Sequence, residues 1–466
     1  MNDPVHGEWW NADNPSVRVA GTLSLDDNGA ELLVFGQLTD ASVPVTRTGP
    51  VQTVPLIHGR TAEGDRYTLA GSWRGGLHYD DGHASRELLR PEATLRGAHL
   101  DSDELQFDRM LLWLDDLVAL ADDPSVDIDV DVEDGGWPRL VAVRAERQVV
   151  LDGRFDHERV QLIAAPEHSG GGQRTTVGLE VYFDVVPDEP AQWRELIDGP
   201  AAQLADLTTL ATTHPAAIRS VKLHSIAGSS SRDRVWVDLL LPFRRPRSRR
   251  EDQGWLASFQ RLFSSEDAPD DVITRWDEVS EQYRGVLPLV FGPSYAPFIY
   301  GEHRFVSVCQ AVEALHDLVH GARELPADEH QARIDAVLAA DLPPEHAAWA
   351  DAALRRVNSI SFTKKVERIL AECPPTAHQL DVQHLARGIA ATRNPLSHGA
   401  LDRDGMLEDP DRHWVHEVLR FVVSWYLLVA LGMPADEASE RVGRHHTFRH
   451  AIDVLPTFQC DGRPHE

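Results

Sequence analysis

Hydrophobic and polar residues alternate in short runs through the first 243 residues of the chain. The runs are bounded by Gly, Asp, Asn and Pro, and an alternation of period two is typical of strands with one buried face. The predicted strands are Val17–Leu25, Glu31–Leu38, Val51–Gly59, Tyr67–Trp73, Arg139–Val143, Thr175–Val186, Ala217–His224 and Val235–Phe243. Helical patterns interrupt them at Asp108–Ala121 and Glu189–His214. We therefore expect residues 1–243 to form a β-rich region.

From residue 272 the apolar residues recur at spacings of three and four, the period of an amphipathic helix. The predicted helices are Val272–Arg284, His303–Val319, Asp328–Ala339, Glu345–Val357, Phe362–Ala371, Gln379–Thr392 and Asp411–Leu431. In the second of these helices, the residues that would form one buried stripe are Phe305, Val308, Val312, Leu315 and Val319. Short connections favour an up-and-down bundle, so we expect an all-α domain over residues 296–460.

Residues 244–295 separate the two regions, and their composition predicts a linker followed by a helical connection. The segment opens with an arginine-rich cluster from Arg244 to Arg250. This cluster is compatible with a solvated loop and with a loop that contacts phosphates, and the sequence leaves both interpretations open. The predicted fold class is α+β and multidomain, with the β-rich region first and the helical bundle last.

Cysteine usage and hydropathy argue against a secreted protein with disulfides and against a membrane protein. The three cysteines, Cys309, Cys373 and Cys460, are too few and too widely spaced for a disulfide framework or a CxxC pair. No opening stretch has the pattern of a signal peptide. The longest apolar run, Phe421–Leu431, is shorter than the roughly 20 residues that a bilayer requires. We expect a cytoplasmic protein with no membrane partner.

Charge is distributed unevenly along the chain. The net charge of −29 opposes non-specific binding of nucleic acid, because a polyanion is repelled at long range. Residues 351–400 are an exception, with seven basic residues against four acidic ones. Three of the basic residues, Lys364, Lys365 and Arg368, lie close together in the sequence. We expect them to line a narrow RNA-binding cleft together with Arg393.

Several common catalytic motifs are absent from the sequence. No lysine follows a glycine, which excludes a P-loop, and neither HExxH nor GxSxG occurs. The alternating acids Asp127, Asp129 and Asp131 lack the glycine that a calcium loop needs, so a strand with one acidic face explains them better. We expect no metal ion and no other cofactor.

One segment, Arg-Asn-Pro-Leu-Ser-His-Gly at residues 393–399, places an arginine and a histidine five positions apart. The spacing alone is weak evidence for a functional motif, because Arg441 and His446 have the same spacing and roughly two such pairs are expected by chance. The context is more specific. Asn394 follows the arginine, and Gly399 can cap a helix. The segment also lies between two predicted helices.

This segment resembles the Arg-x(4–6)-His motif of HEPN domains, in which a polar residue commonly follows the arginine. The run from Glu302 to His316 is similar to the first helix of the ApeA-like HEPN group. The Gly-Glu-Trp-Trp run at residues 7–10 resembles the opening of the ApeA amino-terminal domain. The resemblance implies an anti-phage protein of abortive infection that cleaves RNA, with tRNA as a substrate. It also implies a dimer, with the amino-terminal region sensing a phage-derived trigger.

The chemistry of RNA cleavage suits these residue types. RNA carries its own nucleophile, the 2′-hydroxyl, so an enzyme needs only to move protons and to stabilise the phosphorane. His398 can move protons because its ordinary pKa is about 6.5. The guanidinium of Arg393 matches phosphate oxygens and stays charged. Asn394 would orient the phosphate or its own helix end. Cleavage would need no metal, would leave a 2′,3′-cyclic phosphate, and would take a second histidine from the dimer partner.

Three polar residues on an earlier helix, Gln310, Glu313 and His316, lie three positions apart. They form either a polar stripe at a bundle seam or a supporting set, in which Glu313 pairs with Arg393. Two further functions stay open at this point. The first is a non-catalytic HEPN scaffold that binds nucleotide, RNA or a partner protein, and the second is a toxin masked by a separate antitoxin. A buried His398, remote from any cleft, would favour the scaffold.

Overall fold

The computed structural model describes residues 3–26, 29–39, 53–80, 83–102, 105–122, 127–132, 138–144, 146–169, 176–225, 235–240, 260–296, 298–340, 343–355, 357–398 and 406–455. The chain divides into two compact units, Met1–Asp277 and Glu278–Glu466. Strands dominate the first unit and helices the second, which confirms the predicted α+β class with the β-rich region first. The domain limits 1–243, 244–295 and 296–460 stay predictions. The cluster from Arg244 to Arg250 lies outside the described residues.

The strands of the first unit follow the alternating pattern of the sequence. Their bounds are β1 Val5–Asn11, β2 Val19–Asp26, β3 Gly29–Val34, β4 Thr53–Thr61, β5 Arg66–Asp80, β6 His83–Arg90, β7 Ala93–Arg96, β8 Gln106–Leu114, β9 Asp127–Val132, β10 Pro138–Arg144, β11 Gln148–Arg154, β12 Glu158–Ser169, β13 Thr176–Pro187, β14 Ala191–Gln192, β15 Ile218–Ser225 and β16 Val235–Leu240. The pairings recorded among the described residues are antiparallel.

Fourteen of these described strands form one sheet, in the order β11-β12-β13-β8-β15-β16-β7-β5-β4-β1-β2-β3-β6, with β14 paired to β8. Strands β9 and β10 pair separately. The additional pairing of β5 with β6 closes β5-β4-β1-β2-β3-β6 into a ring of six strands. The side chains that fill this ring are apolar and fully buried, and they include Trp9, Leu23, Leu32, Ile57 and Leu69.

Trp9 explains why a glycine is needed on the neighbouring strand. The register pairs Trp9 of β1 with Gly59 of β4. A Cβ atom at position 59 would lie 2.2 Å from the indole ring, which is closer than any side chain could tolerate. The absence of a side chain at Gly59 therefore lets the largest residue of the ring lie flat against the backbone.

The helix predicted at Asp108–Ala121 is wrong for most of its length. Residues Gln106–Leu114 form β8, which pairs with β13 and β15 in the middle of the sheet. Only Leu117–Ala121 is helical, and we name this helix α1. The leucine-rich run has high helix propensity, but two flanking strands supply hydrogen bonds to both of its edges. Pairing within the sheet therefore overrides the local preference.

Two short helices complete the first unit, α2 Trp193–Leu196 and α3 Ala202–Thr212, joined by a π-helical turn at Ile197–Ala201. The remaining helices are α4 Val272–Gln282, α5 Leu287–Tyr295, α6 Gly301–His320, α7 Ala327–Leu338, α8 Pro344–Leu354, α9 Phe362–Glu372, α10 Pro374–Ala377, α11 Val382–His398, α12 Asp409–Ala430, α13 Ala435–Arg444 and α14 His446–Val454. All seven helices predicted from residue 272 onward are present, with shifted ends.

Helix α6 buries most of its predicted stripe. Its side chains Phe305, Val308, Val312 and Leu315 are inaccessible or nearly so. Val319 does not belong to the stripe, because it lies in the last turn of α6 and is 43% exposed. Among the helices that the structure describes, none combines the length and the apolar character that crossing a membrane demands.

Candidate active site

Helix α11 carries the Arg-Asn-Pro-Leu-Ser-His segment at its carboxyl end. Pro395 lies inside this helix, which continues without a break to His398. Thr392 fixes the end of the helix to the following chain, because its Oγ1 donates to the carbonyl of Gly388 at 2.8 Å and accepts from the amide of Leu407 at 2.8 Å. The motif is therefore held on a helix that is anchored at the residue directly before Arg393.

Arg393 is held from two directions within the helical unit. Its Nη2 donates to Oε2 of Glu313 on α6 at 3.0 Å. Its guanidinium carbon lies 4.9 Å from the ring centre of Phe362 on α9, which is a cation–π distance. Nη1 lies 3.4 Å from Oδ1 of the adjacent Asn394, an exposed residue. The Nε–H of Arg393 is buried and has no partner among the described residues.

The Glu313–Arg393 ion pair, one of the two alternatives that the sequence left open, is present in the structure. Both side chains are largely shielded, with 32% of the Glu313 side chain and 20% of the Arg393 side chain exposed. A pair in this position is screened less than a surface pair, and each charge needs a partner to offset its lost hydration. The arrangement leaves one face of the guanidinium against Phe362 and the Nε–H without a partner among the described residues.

Lys365 is a buried residue of this site and is only 5% exposed. Its Nζ donates to Oδ2 of Asp317 at 2.7 Å and to Oε1 of Glu313 at 3.3 Å. The ammonium therefore bridges two carboxylates on α6, and Glu313 is shared between Lys365 and Arg393. This position is unlike the exposed RNA contact expected from the sequence, because the ammonium faces α6 rather than solvent.

The network extends along α6 through two histidines. His316 is 1% exposed, and its Nδ1 lies 3.2 Å from Oδ1 of Asp317. Burial lowers the pKa of His316, and the contact with Asp317 opposes this only in part. The His316 ring lies 5.1 Å from that of His320. Nε2 of His320 approaches Oε2 of Glu372 to 2.9 Å, without the geometry of a hydrogen bond.

Glu372 lies at the end of the network that is opposite to Arg393 and contacts His320. Its Oε1 accepts from Nε of Arg368 at 3.0 Å, and its Oε2 accepts from the hydroxyl of Tyr426 on α12 at 3.0 Å. Burial alone would raise the pKa of Glu372, but the bonds from Arg368 and Tyr426 outweigh it and lower the pKa. Burial and the nearby Glu372 together raise the pKa of Tyr426, so this phenol stays protonated.

The other predicted site residues lie around this network without joining it directly. Gln310 is exposed on α6 and makes no hydrogen bond with another described residue. Lys364 is exposed, and its Nζ donates to Oε1 of Glu324 at 2.6 Å. The backbone of His398 forms the last residue of α11, while its side chain lies outside the described part of the structure.

Five members of the network were not singled out from the sequence: Asp317, His320, Phe362, Glu372 and Tyr426. Asp317 follows Glu313 by four positions, a spacing that places both carboxylates on one face of α6. That spacing was the available signal. Phe362 gave none, because it lies 31 residues before Arg393 and only the packing of α9 against α11 brings the two together.

Two family models match the chain. One, described as ApeA N-terminal domain 1, matches residues 4–276, which is more than half of the chain. The other, described as Apea-like HEPN, matches residues 306–437 and so includes α6, α9 and α11 almost entirely. No curated protein and no solved structure matches the chain.

Proposed function

Because the chain belongs to the ApeA family of HEPN proteins, we propose that it is a metal-independent endoribonuclease whose active site lies at the end of α11. His398 moves protons to and from the reacting oxygens, and Arg393 stabilises the negative charge that develops on the phosphorane. Asn394 orients the scissile phosphate. The products are a 2′,3′-cyclic phosphate and a free 5′-hydroxyl.

The state of Arg393 carries this proposal. Glu313 and Phe362 restrain the guanidinium before substrate arrives, so little reorganisation is needed when charge develops. Its Nε–H has no partner within the described residues. Unsatisfied buried donors are uncommon in native proteins, and a catalytic role or an ordered water is among their explanations. In the complex, phosphate oxygens would accept hydrogen bonds from the terminal nitrogens of the same guanidinium, whose fork matches them.

The surrounding cations divide into two groups. Lys364 and Arg368 are exposed, and each pairs with a carboxylate near the surface. Such pairs contribute about 1 kcal/mol or less, so RNA phosphates can replace the carboxylates at little cost. We assign RNA binding to these two residues. Lys365 acts instead as a positioning residue, because its ammonium holds Glu313 and through it Arg393.

The family resemblance supplies the biological setting. We propose that the enzyme cleaves tRNA or other RNA during phage infection and so halts growth of the host. The amino-terminal unit senses a phage-derived trigger, and the helical unit forms a homodimer. The dimer is chemically reasonable because one histidine cannot be base and acid on opposite sides of an in-line displacement. It would place two copies of His398 at one cleft.

Cleavage of total tRNA in the presence of EDTA tests the proposal. The wild-type chain should cut, and His398→Ala and Arg393→Ala should each lower the rate about 100-fold or more. The ends should carry 2′,3′-cyclic phosphates. If the wild-type chain alone cleaves no RNA, the assay is repeated with lysate of phage-infected cells to supply the trigger.

The chain provides a matched control in Arg441 and His446, which have the same spacing. Arg441 lies on α13 and bonds to Glu437 of its own helix, while His446 begins α14. His446→Ala should therefore cleave as wild type does. Equal activity of His398→Ala and wild type, or no cleavage under any of these conditions, would leave the non-catalytic scaffold as the better account.

A further inference from the structure

One face of the strand-rich unit gathers charged side chains from neighbouring strands. Cross-strand partners share a face of a sheet. The register pairs Lys222 of β15 with Asp238 of β16. It also pairs Asp238 with Arg96 of β7. A cavity of about 490 Å³ opens over this row, and its wall includes these three residues together with Asp65 and Trp236.

Lys222 contributes to the cavity an ammonium that forms no ion pair within the described residues. Its neighbour Asp238 is already engaged, because Oδ2 accepts from Nε of Arg96 at 3.1 Å and from Nη2 at 2.7 Å. The Lys222 side chain is exposed, and its ammonium makes no hydrogen bond or ion pair with the rest of the described chain. Its Nζ lies 5.5 Å from the ring centre of Trp113. A free ammonium in a concave site attracts an anion.

Trp236 provides an aromatic surface beside that charge. The indole is 39% exposed. The ring of His224 lies 4.9 Å away, and the guanidinium carbon of Arg109 lies 5.9 Å from the indole centre. Both neighbours are fixed in turn, His224 by a 2.5 Å contact to Asp108 and Arg109 by two bonds to Asp184. The indole is therefore braced before any ligand arrives, which lowers the entropic cost of stacking on it.

Two carboxylates, Asp65 and Asp238, share the cavity wall with this cation and this indole. They would repel a simple polyanion or an acidic peptide, and they would accept hydrogen bonds from hydroxyl or amino groups. A ligand that suits all three features carries an anionic group, a planar ring and several donors. The cavity volume falls in the range of about 300–1,000 Å³ that is usual for small-molecule sites.

We propose that this cavity binds a nucleotide. The phosphate contacts Lys222, the base stacks on Trp236, and ribose hydroxyls or a base amino group donate to Asp65 or Asp238. Base–aromatic stacking contributes about 1–3 kcal/mol, and a phosphate contact depends strongly on salt. The inference concerns the amino-terminal unit alone and does not rest on ribonuclease activity in the helical unit.

Equilibrium dialysis of the full chain in EDTA against the four ribonucleoside triphosphates tests the proposal. We expect at least one of the four triphosphates to bind. If ATP is that ligand, adenosine and inorganic tripolyphosphate should each bind about tenfold more weakly than ATP. Lys222→Ala should raise Kd about tenfold, and added salt should weaken wild type more than this variant. Trp236→Ala should raise Kd similarly, and Trp236→Phe should restore part of the affinity because a ring remains.

Trp73→Ala is the matched control for the indole. Trp73 is 36% exposed and has Arg90 at 5.2 Å from its ring, but Arg90 is already paired with Glu31. This variant should bind as wild type does. Arg393→Ala should also bind normally, because Arg393 lies in the other unit. The proposal would be overturned if none of the four triphosphates bound at about 1 mM. It would also be overturned if Arg393→Ala abolished binding and Lys222→Ala left it intact.

Discussion

At the scale of single residues, the candidate active site depends on a carboxylate shared between two cations. Glu313 accepts from Arg393 through one oxygen and from Lys365 through the other. Removing Arg393 or Lys365 would leave the shielded carboxylate of Glu313 with one partner fewer. An incompletely paired charge raises the free energy of the folded state in a low-dielectric environment. The orientation of Arg393 is therefore set by residues that need not touch RNA at all.

Glu313→Gln should separate positioning from substrate binding. The amide can still accept a hydrogen bond from Arg393 but carries no charge to restrain it. We expect kcat to fall about 10- to 100-fold while KM changes little, because the loss is felt when the phosphorane forms. Steady-state cleavage of a short RNA measures both constants. Glu329→Gln, on the exposed side of α7, should leave both constants unchanged. A rise in KM alone would contradict the positioning role.

The sequence left the contact between Glu313 and Arg393 as one of two alternatives, and it did not indicate the environment of Lys365. Lys364 and Lys365 are adjacent and chemically identical, so composition gives them the same role. On a helix they point about 100° apart, and one turns to solvent while the other turns to α6. Which of the two is buried depends on the rotation of α9 about its axis, which follows from the packing of Val366, Ile369 and Leu370.

At the scale of elements, helix α12 buries titratable groups that the proposed chemistry does not use. Burial lowers the pKa of His416 to about 4, with Arg420, Arg304 and His413 adding to the effect and Glu417 opposing it. Burial alone would raise the pKa of Glu417, but Arg420 and the nearby histidines outweigh it and lower the pKa to about 2. His416 is therefore neutral and Glu417 ionised in the folded protein at neutral pH.

These pKa values predict acid sensitivity of the helical unit. Between pH 6.5 and 4 the unfolded chain takes up a proton at His416 that the folded chain resists. Stability therefore falls as the pH falls through this window, and Glu417 adds a second loss between about 4.5 and 2. From pH 6.5 to 5 we expect His416 to contribute a loss of about 2 kcal/mol, at about 1.4 kcal/mol per pH unit.

Urea unfolding at several pH values measures this slope. His416→Leu should remove the His416 contribution between pH 6.5 and 5 while keeping the side chain buried. His346→Leu is the control, because His346 is exposed on α8 and its replacement should leave the slope as it is. If His416→Leu shows the wild-type dependence on pH, another group carries the acid sensitivity.

A buried ion pair between two strands of the ring holds the chain that follows β3. Glu87 of β6 is fully buried and accepts from Nε of Arg74 at 2.9 Å and from the amides of Leu38 and Thr39 at 2.7 and 3.2 Å. Glu87→Ala should lower the free energy of unfolding by about 3–5 kcal/mol, because it removes the carboxylate from a buried guanidinium. The double variant Glu87→Ala/Arg74→Leu should recover part of this loss.

The neighbouring pair Arg90–Glu31 is the matched control for thermal or urea unfolding. It also joins β6 to another strand of the ring, but both side chains are more than 40% exposed. Glu31→Ala should cost about 1 kcal/mol or less. Equal losses for Glu31→Ala and Glu87→Ala would mean that burial does not determine the strength of these pairs.

The type and position of most elements followed from periodicity, while strand partners did not. The long helices were predicted with ends shifted by up to six residues, because each has an apolar stripe of its own. The largest shift is at α11, which was predicted to end at Thr392 and ends at His398. Strands β1, β6, β7, β8, β11, β12 and β14 were missed. The error at β8 has a physical reason, since Met110-Leu111-Leu112-Trp113-Leu114 suits a helix and a buried strand equally well. Long-range pairing decided between them.

At the scale of the whole molecule, the net charge of −29 sets a condition on RNA binding. Long-range repulsion disfavours general association with a polyanion, so binding must come from a few local cations. Lys364 and Arg368 are such cations, and their carboxylate partners limit access further. An RNA that reaches the site must offer phosphates placed to displace those partners. Selectivity for a folded RNA such as tRNA is consistent with this requirement.

A homodimer with a shared cleft predicts how inactive subunits affect active ones. When wild type and His398→Ala are co-expressed in equal amounts with different tags, random pairing makes about one quarter of the dimers fully wild type. If cleavage needs two copies of His398, one as base and one as acid, total activity per chain should fall to about one quarter of wild type. If each chain acts alone, about one half should remain.

Purifying the mixed dimer through both tags sharpens the comparison, because its activity should be near zero in the shared-cleft scheme and near half of wild type otherwise. The pH profile of kcat provides a second readout. If one histidine acts as the base and the same histidine of the second chain acts as the acid, the rate falls at both low and high pH. The profile is then bell-shaped. A mixed dimer at half activity, or a rate that rises with pH and does not fall again at high pH, would mean that each chain carries a complete site.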